Sequence, residues 1–192
     1  MCATFQLAKD DAEEIRNIVR DIDQKYGEGA AHDVLARDFF PRQPIPVIGP
    51  GRKVSLLAWG FPLPNSKQIV FNARAESLAI RPLFRSCVQN RCLIPASWFY
   101  EWDKTKKKFR VSFPDSTLLY MAGLWMRGTA TDGGRVFFST IITTEPNAEI
   151  AKIHNRMPAI IAAPDVDRWL SGSSDGLDLL RPYEQPTSLA AA

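Results

Sequence analysis

Apolar positions along the chain change period several times, and each change marks an element. Cys2-Ala3-Thr4-Phe5 starts as a short strand entering a core. Ile15, Ile18, Val19 and Ile22 then recur at helical spacing, which predicts an amphipathic helix from about Asp11 to Lys25. Asp10 and Glu13 form a capping-box pattern at its start. Residues 27–50 show no period and hold Pro41, Pro44, Pro46 and Pro50, so an irregular connection is predicted there. A strand resumes over Val54 to Trp59 and is broken by Gly60-Phe61-Pro62. Ile69-Val70-Phe71 is a short strand that delivers the polar cluster Asn72-Ala73-Arg74-Ala75-Glu76-Ser77.

Pro82 stands where a first helical turn tolerates it, so Arg81 to Cys87 is predicted helical. Cys92 to Pro95 and Trp98 to Trp102 form an apolar run holding a single carboxylate. Phe109 to Phe113, Leu118 to Met126 and Val136 to Ile142 are three predicted strands, with Asp132-Gly133-Gly134 as the turn between the last two. Pro146 is expected to open a helix carrying Ile150 and Ile153 and ending at His154-Asn155-Arg156. Met157 to Ile161 is a last core strand, Pro164 to Leu170 a short helix, and residues 184–192 a flexible tail. Strands and helices mixed without βαβ alternation predict the α+β class. The expected unit is a single domain over residues 1–183, with a curled, mostly antiparallel, barrel-like sheet and peripheral helices.

Composition narrows the function classes. A chain of 192 residues, 45% hydrophobic and 23% charged, suits a soluble globular domain with a substantial core. There is neither an apolar run of the ~18 residues a membrane span needs nor a basic stretch leading into a secretory apolar segment. Cys2, Cys87 and Cys92 are an odd number with no disulfide framework, so a reducing, cytoplasmic setting is expected. His32 has no His, Cys or acidic partner at ligand spacing, so no metal and no cofactor are expected. The net charge of +3 permits an acidic partner without demanding one. Lys104, Lys106, Lys107, Lys108 and Arg110 crowd together, either as a solvated hairpin turn or as a phosphate-facing rim.

Four polar residues stand where chemistry could use them. Once the initiator methionine is lost, Cys2 carries an α-amine (ordinary pKa about 7.7–8.0) beside a thiol (about 8.5). Such a pair can trap an aldehyde twice, first as an imine and then, by intramolecular closure, as a thiazolidine. The plain alternative is that residue 2 merely follows the start codon. Glu101, among Trp98, Phe99, Tyr100 and Trp102, is a usable proton donor if it points inward and inert if strand alternation turns it out. His154 is either a helix-end cap or a proton carrier. Asn72 either caps a turn or orients the Cys2 amine.

Met1-Cys2, Trp59-Gly60, Asn72 to Glu76, Cys92 to Ala96 running on through Trp98 to Trp102, Thr143-Thr144 and His154-Asn155-Arg156-Met157-Pro158 occur in this order. Together they resemble the SOS response-associated peptidase family, the abasic-site-processing proteins, over roughly residues 1–183. The resemblance implies a monomer that exposes Cys2 by losing Met1 and binds single-stranded DNA. It then captures the ring-opened aldehyde of an abasic site as a thiazolidine crosslink. Cys2 would be the nucleophile, Asn72 would orient its amine, Glu101 would be the acid and base, and His154 would assist ring opening and reversal. Arg74 and Arg156 would hold the flanking phosphates and Trp59 would pack on unstacked bases, with Glu76 and Thr143 on the same DNA-facing side. Where the family has Cys-Gly-Arg-Phe this chain has Cys2-Ala3-Thr4-Phe5, which removes one phosphate contact.

Two other readings use the same residues. An N-terminal-nucleophile amidohydrolase also begins Met-Cys and uses the α-amine as base, but leaves the three internal clusters unexplained. A non-catalytic single-stranded DNA-binding module would make Cys2 incidental. Substitution of Cys2 by serine separates them.

Overall fold

A computed structural model describes residues 2–8, 13–32, 35, 37–114, 118–129 and 133–192. In chain order its elements are β1 (Thr4–Gln6), α1 (Glu13–Tyr26), β2 (Asp38–Phe39), β3 (Pro44–Ile48), β4 (Val54–Trp59), β5 (Phe61–Pro62), β6 (Ile69–Val70) and β7 (Asn72–Arg74). After these come α2 (Pro82–Arg85), β8 (Arg91–Ala96), β9 (Trp98–Trp102), β10 (Lys108–Ser112), β11 (Leu119–Thr129) and β12 (Arg135–Thr144). The chain closes with β13 (Met157–Pro158), β14 (Ile160–Ile161), α3 (Val166–Leu170) and β15 (Ser188–Ala191).

Five strands close on themselves in the order β12, β4, β3, β8, β11 and back to β12. Only the β4–β12 contact in this ring is parallel. β8 is buried at all six positions because one of its faces lies inside the ring while α3 covers its outer side, where Trp169 Nε1 donates to the Cys92 carbonyl at 2.8 Å. Gly123 is needed in this wall, since a Cβ there would come 2.8 Å from the Thr140 carbonyl. Beyond the ring, β12 continues in parallel beside β7, with Asn72 opposite Ile141. A second, antiparallel sheet runs β15, β10, β9, β1, β2. Trp59 joins the two. It packs edge-on against Phe5 of β1 (5.3 Å) and against Phe71 (6.0 Å), and its Nε1 donates to the Phe71 carbonyl at 2.8 Å. The α+β class and the mostly antiparallel, barrel-like core are as the patterning predicts.

The helix α1 buries Ile15, Ile18 and Ile22, the stripe that its spacing picks out. Asp10 and Asp132, expected in a cap and a turn, lie outside the described residues, as does Met1.

Four expectations need correction. Residues 27–50 contain two strands, and β3 is a wall of the barrel despite its prolines. Pro44 and Pro46 lie two apart and Trp59 donates to the Gln43 carbonyl (2.9 Å), so both proline nitrogens face away from β4 and no bond to it is lost. The helix expected from Pro146 is a single 3-10 turn, Ile150–Lys152. The strand expected over Met157 to Ile161 divides at Ala159, where the chain passes from β12 to β11: Ala159 donates to Ile142 (2.9 Å) and accepts from Ala122 (2.7 Å). Finally, residues 184–192 are not a tail outside the domain. They hold β15, which pairs with β10 from Ser188 opposite Ser112 to Ala191 opposite Phe109.

Candidate active site

The two sheets meet where the start of the amino-terminal strand reaches β7, and four polar side chains arrive there from separate segments. Cys2 is fully buried just ahead of β1. Asn72, at the start of β7, donates from Nδ2 to the Cys2 carbonyl at 2.8 Å. Its own Oδ1 is buried without a hydrogen-bond partner among the described residues. The Cys2 thiol lies 3.8 Å from the Thr4 carbonyl. Since Thr4 stands opposite Tyr100 in an antiparallel pair, the residues before Thr4 run beside Glu101 and Trp102.

Alternation along β9 turns Phe99 and Glu101 inward and leaves Trp98, Tyr100 and Trp102 half-buried on the other face. Glu101 is 2% exposed. Burial raises its carboxyl above the usual range, and the nearby His154 pulls partly the other way. Burial likewise pushes the Cys2 thiol far up, and the charge of Glu101 adds to the rise. Both groups therefore hold their protons more tightly than they would in water.

His154 presents Nδ1 at 3.9 Å from Glu101 Oε1. The same nitrogen is 3.0 Å from both the backbone nitrogen and the carbonyl oxygen of Arg156. A bare Nδ1 can accept from that N–H and an Nδ1–H can donate to that carbonyl, so the contact is set by the ring's tautomer. The loop is braced by Asn147, a residue the sequence reading missed. Its Oδ1 accepts from the Ile150 N–H (3.0 Å), while Nδ2 donates to the Tyr183 carbonyl (2.8 Å) and to Thr187 (2.9 Å). The signal was a Pro-Asn pair three residues ahead of Ile150, an Asx cap on a turn too short to show helical period. A groove of about 780 Å³ lined by Trp102, Lys104, Lys152 and Asn155 opens beside His154.

Cys2, Asn72, Glu101 and His154 are thus brought together. The residues grouped on the DNA-facing side are not all on a surface. Trp59 and Thr143 are fully buried, so neither can meet a base as the fold stands. Arg156 is 8% exposed and committed inside the protein, with Nη2 donating to Glu76 (2.9 Å) and to the Thr143 carbonyl (2.7 Å). Burial raises the Glu76 carboxyl, but the Arg156 hydrogen bond and the charges of Arg156 and Arg74 outweigh it and hold it below the usual range. Arg74 faces solvent. Among the described residues there is no group of three or more His, Cys, Asp or Glu placed to hold a metal, and no helix is long and apolar enough to cross a membrane.

Solved structures share this fold. A protein from Bacteroides thetaiotaomicron superposes with a TM-score of 0.84 at 22% identity, covering 99% of this chain and 91% of that one. A protein from Bordetella bronchiseptica gives 0.80 at 24%, covering 100% and 99%. Sequence relatives carry a function in their names. The abasic site processing protein YoqW of Bacillus subtilis is 35% identical over 97% of this chain and 87% of its own length. YoaM, the abasic site processing protein of the same organism, is 36% identical over 85% and 79%. The abasic site processing protein HMCES of Xenopus tropicalis is 27% identical over 71% of this chain and 51% of that protein. The family model for SOS response associated peptidase matches residues 1–191, and the chain belongs to that family.

Proposed function

We propose that this protein processes abasic sites in single-stranded DNA by covalent capture through Cys2 after Met1 is removed. The observation that carries this reading is the convergence of an amino-terminal cysteine, a buried acid and a histidine at one sheet junction. Relatives named for abasic site processing supply the substrate.

The chemistry follows from the protonation each group prefers. The freed Cys2 α-amine attacks the aldehyde of the ring-opened deoxyribose, and water leaves as the imine forms. The thiol, kept protonated by burial, then adds across the C=N bond. Sulfur joins carbon, its proton moves to nitrogen, and the thiazolidine closes with net loss of one water. Burial raises the Glu101 carboxyl above the usual range, which favours its acid form, and that form can deliver a proton to the departing hydroxyl and take one back from the amine. His154, whose Nδ1 lies 3.9 Å from Glu101 Oε1, relays that proton to the sugar oxygen in this reading. Asn72 fixes the Cys2 carbonyl and so aims the amine.

Intact-protein mass after mixing with single-stranded DNA bearing one abasic site tests this. The expected product is heavier by the oligonucleotide less one water, survives denaturant and is missing for Cys2→Ser. Processed protein that binds the same DNA with no adduct overturns capture and leaves a binding module.

A further inference from the structure

The outward face of β9 and β10 is built from rings and cations in alternation. Trp98, Tyr100 and Trp102 project there, and across the pair Arg110 lies opposite Tyr100 and Lys108 opposite Trp102. Each cation leans diagonally, by the same two-residue step, onto the next ring. Lys108 Nζ sits 3.7 Å from the Tyr100 ring centre and the Arg110 guanidinium carbon 5.2 Å from that of Trp98. Trp98 Nε1 donates to the Tyr100 hydroxyl at 3.0 Å, which ties the two rings together. Long cationic side chains ordinarily lose rotamer freedom on binding, and these two are already held over ring faces. Asp38 reaches Lys108 at 3.9 Å and neutralises it only in part.

Residues two apart on a strand are about 7 Å apart, close to the step between successive phosphates of an extended, unstacked single strand. The row also begins at the site. Lys108 is paired with Trp102, which lines the groove beside His154, and Thr4, two residues past Cys2, is paired with Tyr100. We infer that Lys108 and Arg110, pinned by the Trp98–Tyr100–Trp102 ladder, bind consecutive phosphates of the single strand that leads away from the lesion. This rests on the capture reading and adds to it the path of the undamaged strand, on the outer sheet face. It also gives the basic run at Lys104 to Arg110 a role at its strand end rather than in its turn.

Salt dependence of binding is the test. The Cys2→Ser protein, which forms no adduct, is titrated with an undamaged fluorescent oligonucleotide at several salt concentrations, with and without Lys108→Gln plus Arg110→Gln. The log–log slope is expected to shrink by about 1.4, since each lost single-strand phosphate contact removes about 0.7. Lys108→Arg plus Arg110→Lys keeps both charges and is expected to keep the slope. Lys25→Gln plus Lys53→Gln makes the same charge change in a separate groove beside Tyr26, Trp125 and Phe137, and is expected to leave the slope alone. If the double glutamine protein misfolds, each single glutamine variant reads the same effect at about 0.7. An unchanged slope, or an equal loss from the Lys25 and Lys53 pair, overturns the inference. In parallel the parent protein is mixed with abasic DNA. An adduct together with an unchanged slope sinks this inference alone, whereas neither adduct nor binding sinks the capture reading as well.

Discussion

Arg156 separates two kinds of explanation, because the family motif makes it a phosphate ligand and the geometry makes it a strut. Its Nη2 serves the Thr143 carbonyl at 2.7 Å inside the end of β12 and the Glu76 carboxylate at 2.9 Å. Arg156→Ala strands that carbonyl in a buried setting, and a lost hydrogen bond to a charged donor costs about 1.5–3 kcal/mol. The Glu76 partner is 58% exposed at its side chain, so solvent screening limits its share to about 0–1 kcal/mol. The expected loss is about 2–4 kcal/mol, or roughly 5–15 °C in Tm for a chain of this size. Glu76→Ala is expected to cost less, and the double variant less than the sum, with a coupling of about 0.5–1.5 kcal/mol. Urea melts of the four proteins measure this directly. Arg156→Ala melting within about 0.5 kcal/mol of the parent while losing DNA affinity would refute the strut and restore the phosphate contact.

Three further outcomes are expected. Glu101 has a raised folded-state pKa, so its stabilising contribution is complete below the ordinary carboxylate value of about 4.3 and is lost as pH rises through the folded value. Glu101→Gln should therefore gain stability over the parent at pH 7.5 relative to pH 4, and melts showing the reverse ordering contradict the assignment. Asn147→Ala leaves the Ile150 N–H and the Tyr183 carbonyl short of partners, with an expected cost of about 2–3 kcal/mol and slower adduct formation through a displaced His154. A variant as stable as the parent argues against the brace. Burial pushes the Cys87 thiol up to about 11 and Cys92 further, so at pH 8 only about one Cys87 in a thousand is thiolate. A disulfide reagent should label these two at the rate of global unfolding, and rapid labelling in the native state contradicts their burial.

The parts of the fold legible in sequence were those where one residue's period reports one environment. The Ile15, Ile18, Ile22 stripe faces a single core, so helical spacing survives intact. Where a segment serves two partners the period fails. Residues 157–161 wedge between β11 and β12 and change partner at Ala159. The prolines of β3 read as a connection because sequence does not tell which edge of a strand needs its donors; closure around the barrel decides that. Residues 184–192 carry little apolar signal because β15 is an edge strand held by backbone pairing.

The site divides the same way. Cys2 and Asn72 stood out in the sequence as candidates, each with a plain alternative, and the structure adds that the Asn72 amide donates to the Cys2 carbonyl. Glu101 was open, since in a Trp-Phe-Tyr-Glu-Trp run either face could be the core, and only pairing with β1 and β10 turns the carboxylate inward. That choice carries a second consequence. A strand that buries Glu101 must present Trp98, Tyr100 and Trp102 on its other face, and β10 sets Lys108 and Arg110 against them. One alternation thus places the Glu101 carboxyl inside and the cation row outside. Shifting β9 by one residue would exchange the two faces and abolish both at once, so register at the Thr4–Tyr100 pair is the feature on which the proposed capture chemistry and the inferred strand path jointly depend.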